Sequence, residues 1–283
     1  MPVTKLIVDP DLFRIEWGKR TSPYNMENKH YHDYYELYYL WSGERIYFIK
    51  DRTYHVLQGD IVLININEMH KTLQAGPSSH ERILIYFKKD FIDNIISKEP
   101  NLNLLDCFSK AKVIRPEKQD LNYIEGLLFK MIEESKKASP DSELFLRVLL
   151  VEILITANRL IINKRDENYE HPGSMHKKVS EIVRYINNNY EQKLSLKVVA
   201  KKFSISPYYL SRIFNKGTGF SFVEYLNSIR IKEAQKLLKN TQLNITEIAA
   251  KVGYESLTHF GRVFKTITGL SPMQYRKSFN YPD

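Results

Sequence analysis

Cysteine is nearly missing. Cys107 is the only one in 283 residues, so no disulfide can close within the chain, and a reducing, cytoplasmic setting is expected. Residues 1–11 lack a basic start followed by an apolar run, so no signal peptide is expected. Long hydrophobic runs are also lacking: the most apolar stretch, 144–157, is broken by Arg147 and Glu152 and is too short to span a bilayer. Glycine and proline number only 11 each, which excludes low-complexity and collagen-like architectures. Tyrosine, at 19, is the abundant aromatic. The length suits two domains, each with its own core.

Net charge is informative once it is divided. Residues 175–283 hold 18 Lys and Arg against 7 Asp and Glu, an excess of 11, whereas residues 1–174 come to −2. A basic domain joined to a near-neutral one points to a polyanion partner for the first and a different task for the second.

Three regions succeed one another. Up to residue 112, aromatic and β-branched runs at 34–41, 45–49, 60–66 and 82–87 are separated by turn signals at Ser42-Gly43, Gln58-Gly59 and Gly76-Pro77, the pattern of a β-barrel or sandwich. Residues 113–163 turn helical. Leu121, Ile124, Leu127, Leu128, Met131 and Ile132 mark one amphipathic stripe, and Leu144, Val148, Val151, Ile155 and Leu160 a second. The second helix is apolar nearly all round, which suits a dimer contact. Residues 164–174 are polar and read as a linker, leaving 175–283 as a separate domain.

That last domain contains a duplication. Ser195, Leu196, Val199, Ala200 and Lys202 recur 49 residues later as Asn244, Ile245, Ile248, Ala249 and Lys251. Arg212, Phe214, Thr218, Gly219, Ser221 and Tyr225 recur 50 residues later as Arg262, Phe264, Thr268, Gly269, Ser271 and Tyr275. In the first copy Ser195 caps a helix over 196–203, and Ser206-Pro207 opens a second over 207–216 that ends before Gly217 and Gly219. In the second, Asn244 and Glu247 form a capping box for 245–252, Gly253 supplies the turn, and Ser256 caps 257–266. Two short helices joined by a tight turn form a helix-turn-helix, present twice and joined by a long helix over 221–239. Two successive major-groove faces lie about 34 Å apart, within reach of one chain. The outward positions are Tyr208, Ser211, Arg212 and Asn215 in the first copy, and Leu257, Thr258, Gly261, Arg262 and Lys265 in the second. Lys201, Lys202, Lys216, Lys251 and Lys265 are phosphate-contact candidates. Two alternatives stay open: Tyr208 as a half-buried core residue, and Arg262 paired with Glu255 rather than meeting DNA.

The run Ile248-Ala249, Val252-Gly253-Tyr254-Glu255-Ser256, Phe260-Gly261-Arg262-Val263-Phe264-Lys265, Gly269-Leu270-Ser271-Pro272 and Tyr275-Arg276 resembles the signature of AraC/XylS-type transcription regulators. The resemblance implies a dimeric regulator of promoter DNA, with RNA polymerase as a further partner and neither catalytic residues nor a cofactor. Its family contact positions fall on Tyr208, Ser211 and Arg212, then Leu257, Thr258, Gly261 and Arg262. Gly261 departs from the usual Ser or Thr, which removes a hydroxyl from the second copy.

In the first region, His30-x-His32-x3-Glu36 and Gly43, then Gly59-x5-Asn65-x-Asn67-x2-His70, resemble the two cupin motifs, with Asn where Pro and Gly are usual in the second. His30, His32 and Glu36 share parity, so one strand would point all three into one cavity. Such imidazoles and a carboxylate suit a divalent transition metal, with His70 as fourth ligand. The family resemblance favours instead a small-molecule effector, a sugar or other carbon source, held by His30, His32, Glu36, Tyr38, Trp41 and His70. A metal-binding or enzyme-like cupin and a purely dimerising domain are the alternatives. The expected fold is thus a cupin-like β-barrel followed by two helices, then an all-α domain with two helix-turn-helix motifs.

Overall fold

A computed structural model of the chain describes residues 4–9, 11–22, 32–76, 79–97, 103–137, 139–163 and 173–280. Two compact units divide it, Met1–His171 and Pro172–Asp283.

The first unit contains nine strands among the described residues: β1 (Thr4–Asp9), β2 (Phe13–Arg20), β3 (Tyr35–Ser42), β4 (Glu44–Ile49), β5 (Arg52–Leu57), β6 (Ile61–Ile64), β7 (His70–Gln74), β8 (His80–Phe87) and β9 (Val113–Ile114). They form a six-stranded sheet, β1-β2-β8-β3-β6-β9, and a three-stranded sheet, β5-β4-β7. Two short helices, α1 (Asp90–Ile96) and α2 (Cys107–Lys110), lead to α3 (Lys118–Ser135) and α4 (Ser142–Asn163).

The larger sheet is buried on both faces, and its strands show it. Leu37, Tyr39, Ile61, Leu63, Ile83, Ile85 and Phe87 pack with the residues of α1 to α4. Their alternates Tyr38, Leu40, Val62, Ile64, Leu84 and Tyr86 pack with Tyr47, Ile49 and Val56 of the smaller sheet. A strand covered on both sides reads as a continuous apolar run, such as Ile61–Ile64, rather than as an alternation. This unit is the β-rich, two-sheet domain with two long helices expected from the sequence.

The face that α4 buries differs from the expected one. Leu146, Leu149, Leu150, Ile153, Leu154, Ala157 and Leu160 are buried, whereas Leu144 and Val148 are exposed. A helix apolar all round carries no period from which to choose its inner face. In α3, Ile124, Leu127, Leu128, Met131 and Ile132 are buried as expected. Cys107 is buried, and burial above all pushes its thiol up to about 12, the setting of a structural rather than a reactive cysteine.

The second unit is all helical: α5 (Ser174–Asn189), α6 (Leu196–Lys202), α7 (Pro207–Thr218), α8 (Phe222–Asn240), α9 (Ile245–Lys251), α10 (Leu257–Thr268) and α11 (Pro272–Asn280). No helix among the described residues is long and apolar enough to cross a membrane.

Candidate nucleic-acid interface and effector site

The repeated residues of the second unit recur because each serves the same local geometry. Ser195 and Asn244 accept from the backbone of Val198 and Glu247 at the starts of α6 and α9, and Asn244 with Glu247 completes a capping box. Ser206 and Ser256 cap α7 and α10. Both of these helices end on a left-handed glycine, Gly219 and Gly269, whose N–H groups reach Asn215 O at 2.7 Å and Lys265 O at 2.9 Å. Thr218 and Thr268 each fold back onto the preceding turn, donating to Phe214 O and Phe264 O. Ser221 and Ser271 then start the next helix.

α7 runs slightly further than expected. Gly217 lies inside it, and a Cβ there would stand 3.0 Å from a methyl of Val179, so this glycine lets α5 approach α7. The single inserted residue of the second copy is Glu255. Ile205 N bonds Ala200 O and Tyr254 N bonds Ala249 O, which aligns the turns up to that point. The left-handed turn residue is Ser204 in the first copy and Gly253 in the second.

One face of each second helix is bare. Tyr208, Ser211, Arg212, Asn215 and Lys216 are exposed on α7, as are Leu257, Thr258, Arg262 and Lys265 on α10, with Gly261 half-buried. The opposite faces are Leu210, Ile213 and Phe214, then Phe260 and Phe264. Tyr208 is 77% exposed, so it is no core residue. Glu255 pairs with Lys193 at 2.8 Å, and Arg262 has no ion pair among the described residues. Lys201, Lys202 and Lys251 are exposed as well.

Sequence reasoning missed Arg230, which ties the two copies together. From the middle of α8, its Nε donates to Tyr190 O (2.9 Å) and its Nη2 to Gln192 O (2.8 Å). Its guanidinium lies 5.4 Å from the ring centre of Tyr254. A Cβ on Gly253 would fall 2.8 Å from that Nη2 and 2.7 Å from Glu191 O. The glycine of the second turn is therefore required twice, by its φ of +89° and by this approach. An arginine whose partners are backbone carbonyls about forty positions away leaves no local signal.

In the first unit, Glu36 lies between the sheets, 1% exposed. His32 Nε2 is 3.0 Å and His70 Nε2 3.4 Å from its Oε2. The other ring nitrogens face backbone carbonyls, His32 Nδ1 at 2.9 Å from Tyr34 O and His70 Nδ1 at 2.8 Å from Glu68 O. Donation at Nδ1 leaves both Nε2 atoms turned toward the carboxylate. Burial would raise the Glu36 carboxyl, but the charge of His70 and hydrogen bonds from His32 and His70 outweigh it and hold it well below the usual range. Burial pulls His70 down, and Glu36 more than reverses it. Tyr34 stacks on His32 with ring centres 4.1 Å apart, and Arg14 lies 4.2 Å from the ring centre of Tyr86.

The expected cluster thus assembles only in part. His32, Glu36 and His70 meet, with ligating atoms all within 4.8 Å of one another, a donor set that fits a divalent transition metal. His32 does so from the segment before β3, not from a strand, so shared parity was not the cause. His30 lies outside the described residues. Tyr38 faces between the sheets two residues beyond Glu36. Trp41 stands apart, among residues packed against the helices and 5.3 Å from the ring of Trp17.

Residues 9–154 match the AraC-like ligand binding domain family, and residues 199–278 a helix-turn-helix domain family. The chain is similar to the HTH-type transcriptional regulator YfiF of Bacillus subtilis, 28% identical over 269 residues that cover 93% of this chain and 82% of that one. It is similar to the HTH-type transcriptional activator RhaR of Mannheimia succiniciproducens, 24% identical over 273 residues, 91% and 93% of the two chains. Among solved structures it matches apo ToxT from Vibrio cholerae, with a TM-score of 0.40 and 16% identity over 94% of this chain and 97% of that one. The C-terminal domain of AraT from Geobacillus stearothermophilus matches with a TM-score of 0.37 and 37% identity, covering 39% and 95%. With a ligand-binding family spanning more than half of its length and a helix-turn-helix family most of the remainder, the chain belongs to the AraC-type DNA-binding transcription regulators.

Proposed function

We propose that α7 and α10 read promoter DNA in successive major grooves, with Tyr208, Ser211, Arg212 and Asn215 of α7 supplying most base contacts. Leu257, Thr258, Gly261 and Arg262 of α10 lie closer to the backbone, and Lys216 and Lys265 hold phosphates. The observation that carries this reading is the bare polar face of α7, set at the start of a capped helix whose opposite face is buried. A guanidinium at Arg212 matches a guanine edge bidentately. Footprinting of the full chain on the DNA upstream of neighbouring genes tests it. A protected segment preferred over random duplex at physiological salt is expected, and binding without that preference overturns it.

The barrel is read as an effector site for a sugar or other small carbon source, lined by His32, Glu36, Tyr38 and His70. The unit division is read as a sensor (1–112), a dimerising segment (113–163), a linker (164–174) and a DNA-binding domain (175–283). Exposed Leu144, Phe145 and Val148, one face of α4 by helical spacing, support a homodimer contact, as do Tyr123 and Phe129 left exposed on α3. The protein works in the cytoplasm, without catalysis of its own, and contacts RNA polymerase when bound.

A second reading of the barrel has one observation in its favour. The convergence of two Nε2 atoms on one buried carboxylate oxygen is the arrangement a metal-binding cupin needs.

A further inference from the structure

Beyond Tyr38, the space between the sheets turns basic. The inward positions there are Arg45 on β4, opposite Gln74 of β7, and Arg82 and His80 on β8, opposite Gly18 and Arg20 of β2. Arg82 also faces Leu40, and Tyr38 faces Leu84, across the β3–β8 ladder, which makes Tyr38 and Arg82 diagonal neighbours on one face. Arg45 is fully buried, and its guanidinium donates to Thr72 Oγ1 at 3.1 Å and Gln74 Oε1 at 2.8 Å among its contacts. Of the nearby carboxylates, the inward Glu16 of β2 pairs with Arg14 at 3.2 Å, and two others turn away from this space. Glu81 accepts from Trp17 Nε1 at 2.7 Å, and Glu44 meets His55 Nε2 at 3.0 Å.

Three buried polar atoms in this wall have no hydrogen-bond partner among the described residues: Tyr38 Oη, Arg82 Nη1 and His80 Nδ1. Tyr38 is 1% exposed and His80 3%. Buried donors are almost always satisfied in folded proteins, because leaving one unmade forfeits its hydration without return. The phenol and the guanidinium both offer protons, so what completes them is an acceptor. The surrounding guanidiniums of Arg45, Arg82 and Arg20 favour one that carries negative charge, and a guanidinium matches carboxylate and phosphate oxygens alike.

We propose that the effector of this barrel is a small oxyanion, an organic acid or a phosphorylated compound, whose charged group is held by Arg82, Arg45 and Tyr38. This rests on the reading of the barrel as an effector site and names the charge of what it takes. The His32–Glu36–His70 end then faces the uncharged remainder of the ligand.

The test is calorimetry and thermal melting of the full chain against glucuronate and gluconate, glucose 6-phosphate, and neutral glucose and xylose. At least one anionic probe is expected to bind roughly tenfold or more tightly than its neutral counterpart and to raise Tm. The two acids against the phosphate tell which oxyanion is meant. Arg82→Gln is expected to weaken the anion by roughly tenfold or more, and Tyr38→Phe by roughly fivefold. Tyr38→Phe removes an unmet hydroxyl, so the unliganded variant is expected to melt at the same or a higher temperature, which separates lost binding from lost folding. Neutral sugars binding as tightly as the acids, with Arg82→Gln without effect, would overturn the charge assignment and leave the effector reading standing. No probe of either charge binding at about 10 mM would overturn both.

Discussion

The phenol of Tyr39 donates to the carboxylate of Glu125 at 2.5 Å, fastening β3 to α3, while its neighbour Tyr38 points the opposite way, between the sheets. One strand thus presents one tyrosine to the interior and the next to a helix of the proposed dimerising segment. Tyr39→Phe is expected to lower the stability of this unit by ~1.5–3 kcal/mol, the range for a hydrogen bond to a charged group, and Glu125→Gln by less. Both tryptophans of the chain, Trp17 and Trp41, lie in this unit, so urea unfolding followed by tryptophan fluorescence reads it directly.

Arg212 and Lys216 stand one turn apart on the bare face of α7 and are expected to fail differently. Arg212→Ala should relax preference at one base pair, with ~1–3 kcal/mol of discrimination lost. Lys216→Ala should weaken all sequences alike and lower the salt dependence of binding by about one charge. Binding titrations on operator variants at several salt concentrations distinguish them. Equal loss on every sequence from Arg212→Ala would demote that residue to a phosphate clamp.

Two glycines of the DNA-binding unit are expected to respond in opposite directions. A Cβ on Gly261 meets nothing within 4 Å, and Gly261→Ala should stabilise α10 by up to ~1 kcal/mol; Gly261→Ser places a hydroxyl on the face proposed to meet DNA. Gly253 combines a φ of +89° with a backbone oxygen 2.7 Å from the position of a Cβ. Gly253→Ala should therefore cost more than ~1 kcal/mol. Thermal melting by circular dichroism measures both.

Acidification is expected to destabilise the first unit through His80. Burial first, then the guanidiniums of Arg45, Arg82 and Arg20, hold its pKa down to about 4 against an ordinary value of 6.5. Between those values the unfolded chain binds a proton that the folded one refuses, so stability falls as pH drops from about 6.5 to about 4. His70, raised by Glu36, has the opposite sign, its contribution being lost as pH rises through its folded value. His80→Gln is expected to flatten the loss on the acid side in chemical unfolding at a series of pH values.

Elemental analysis of the purified protein separates the two readings of the His32–Glu36–His70 cluster. On the effector reading, the protein carries no stoichiometric metal, and chelator leaves Tm and DNA binding unchanged. One equivalent of metal that disappears with His32→Ala would establish the metal reading in its place.

What was legible in the sequence is what depends on near neighbours. Ser195, Ser206, Asn244 and Ser256 each accept from a backbone N–H three residues on, so the helices of the duplicated unit can be bounded from the local sequence alone. The barrel was legible in its densest strands only. β2 pairs with β8 across more than sixty residues of chain, and nothing in its polar alternation, Arg14, Glu16, Arg20, announces that partner. Trp41 and Tyr38 looked equivalent as pocket residues, yet one packs toward the helices and the other between the sheets, a difference of parity along a strand whose two faces are both buried. Arg45 gives no signal in the sequence because buried arginine is rare, and the meaning of the half-buried Arg82 and of His80 appears only once the strands beside them are paired.

Arg230 joins the carbonyls before α6 to the turn before α10, which holds α7 and α10, the helices proposed to read DNA, at a set offset. Along a duplex, each added base pair rotates the downstream segment by about 35°. An operator lengthened by a single pair between its two contacted segments would present the second to the flank of α10, outside that offset. If α7 and α10 both read bases as proposed, spacing as much as base identity is expected to decide which operators are bound.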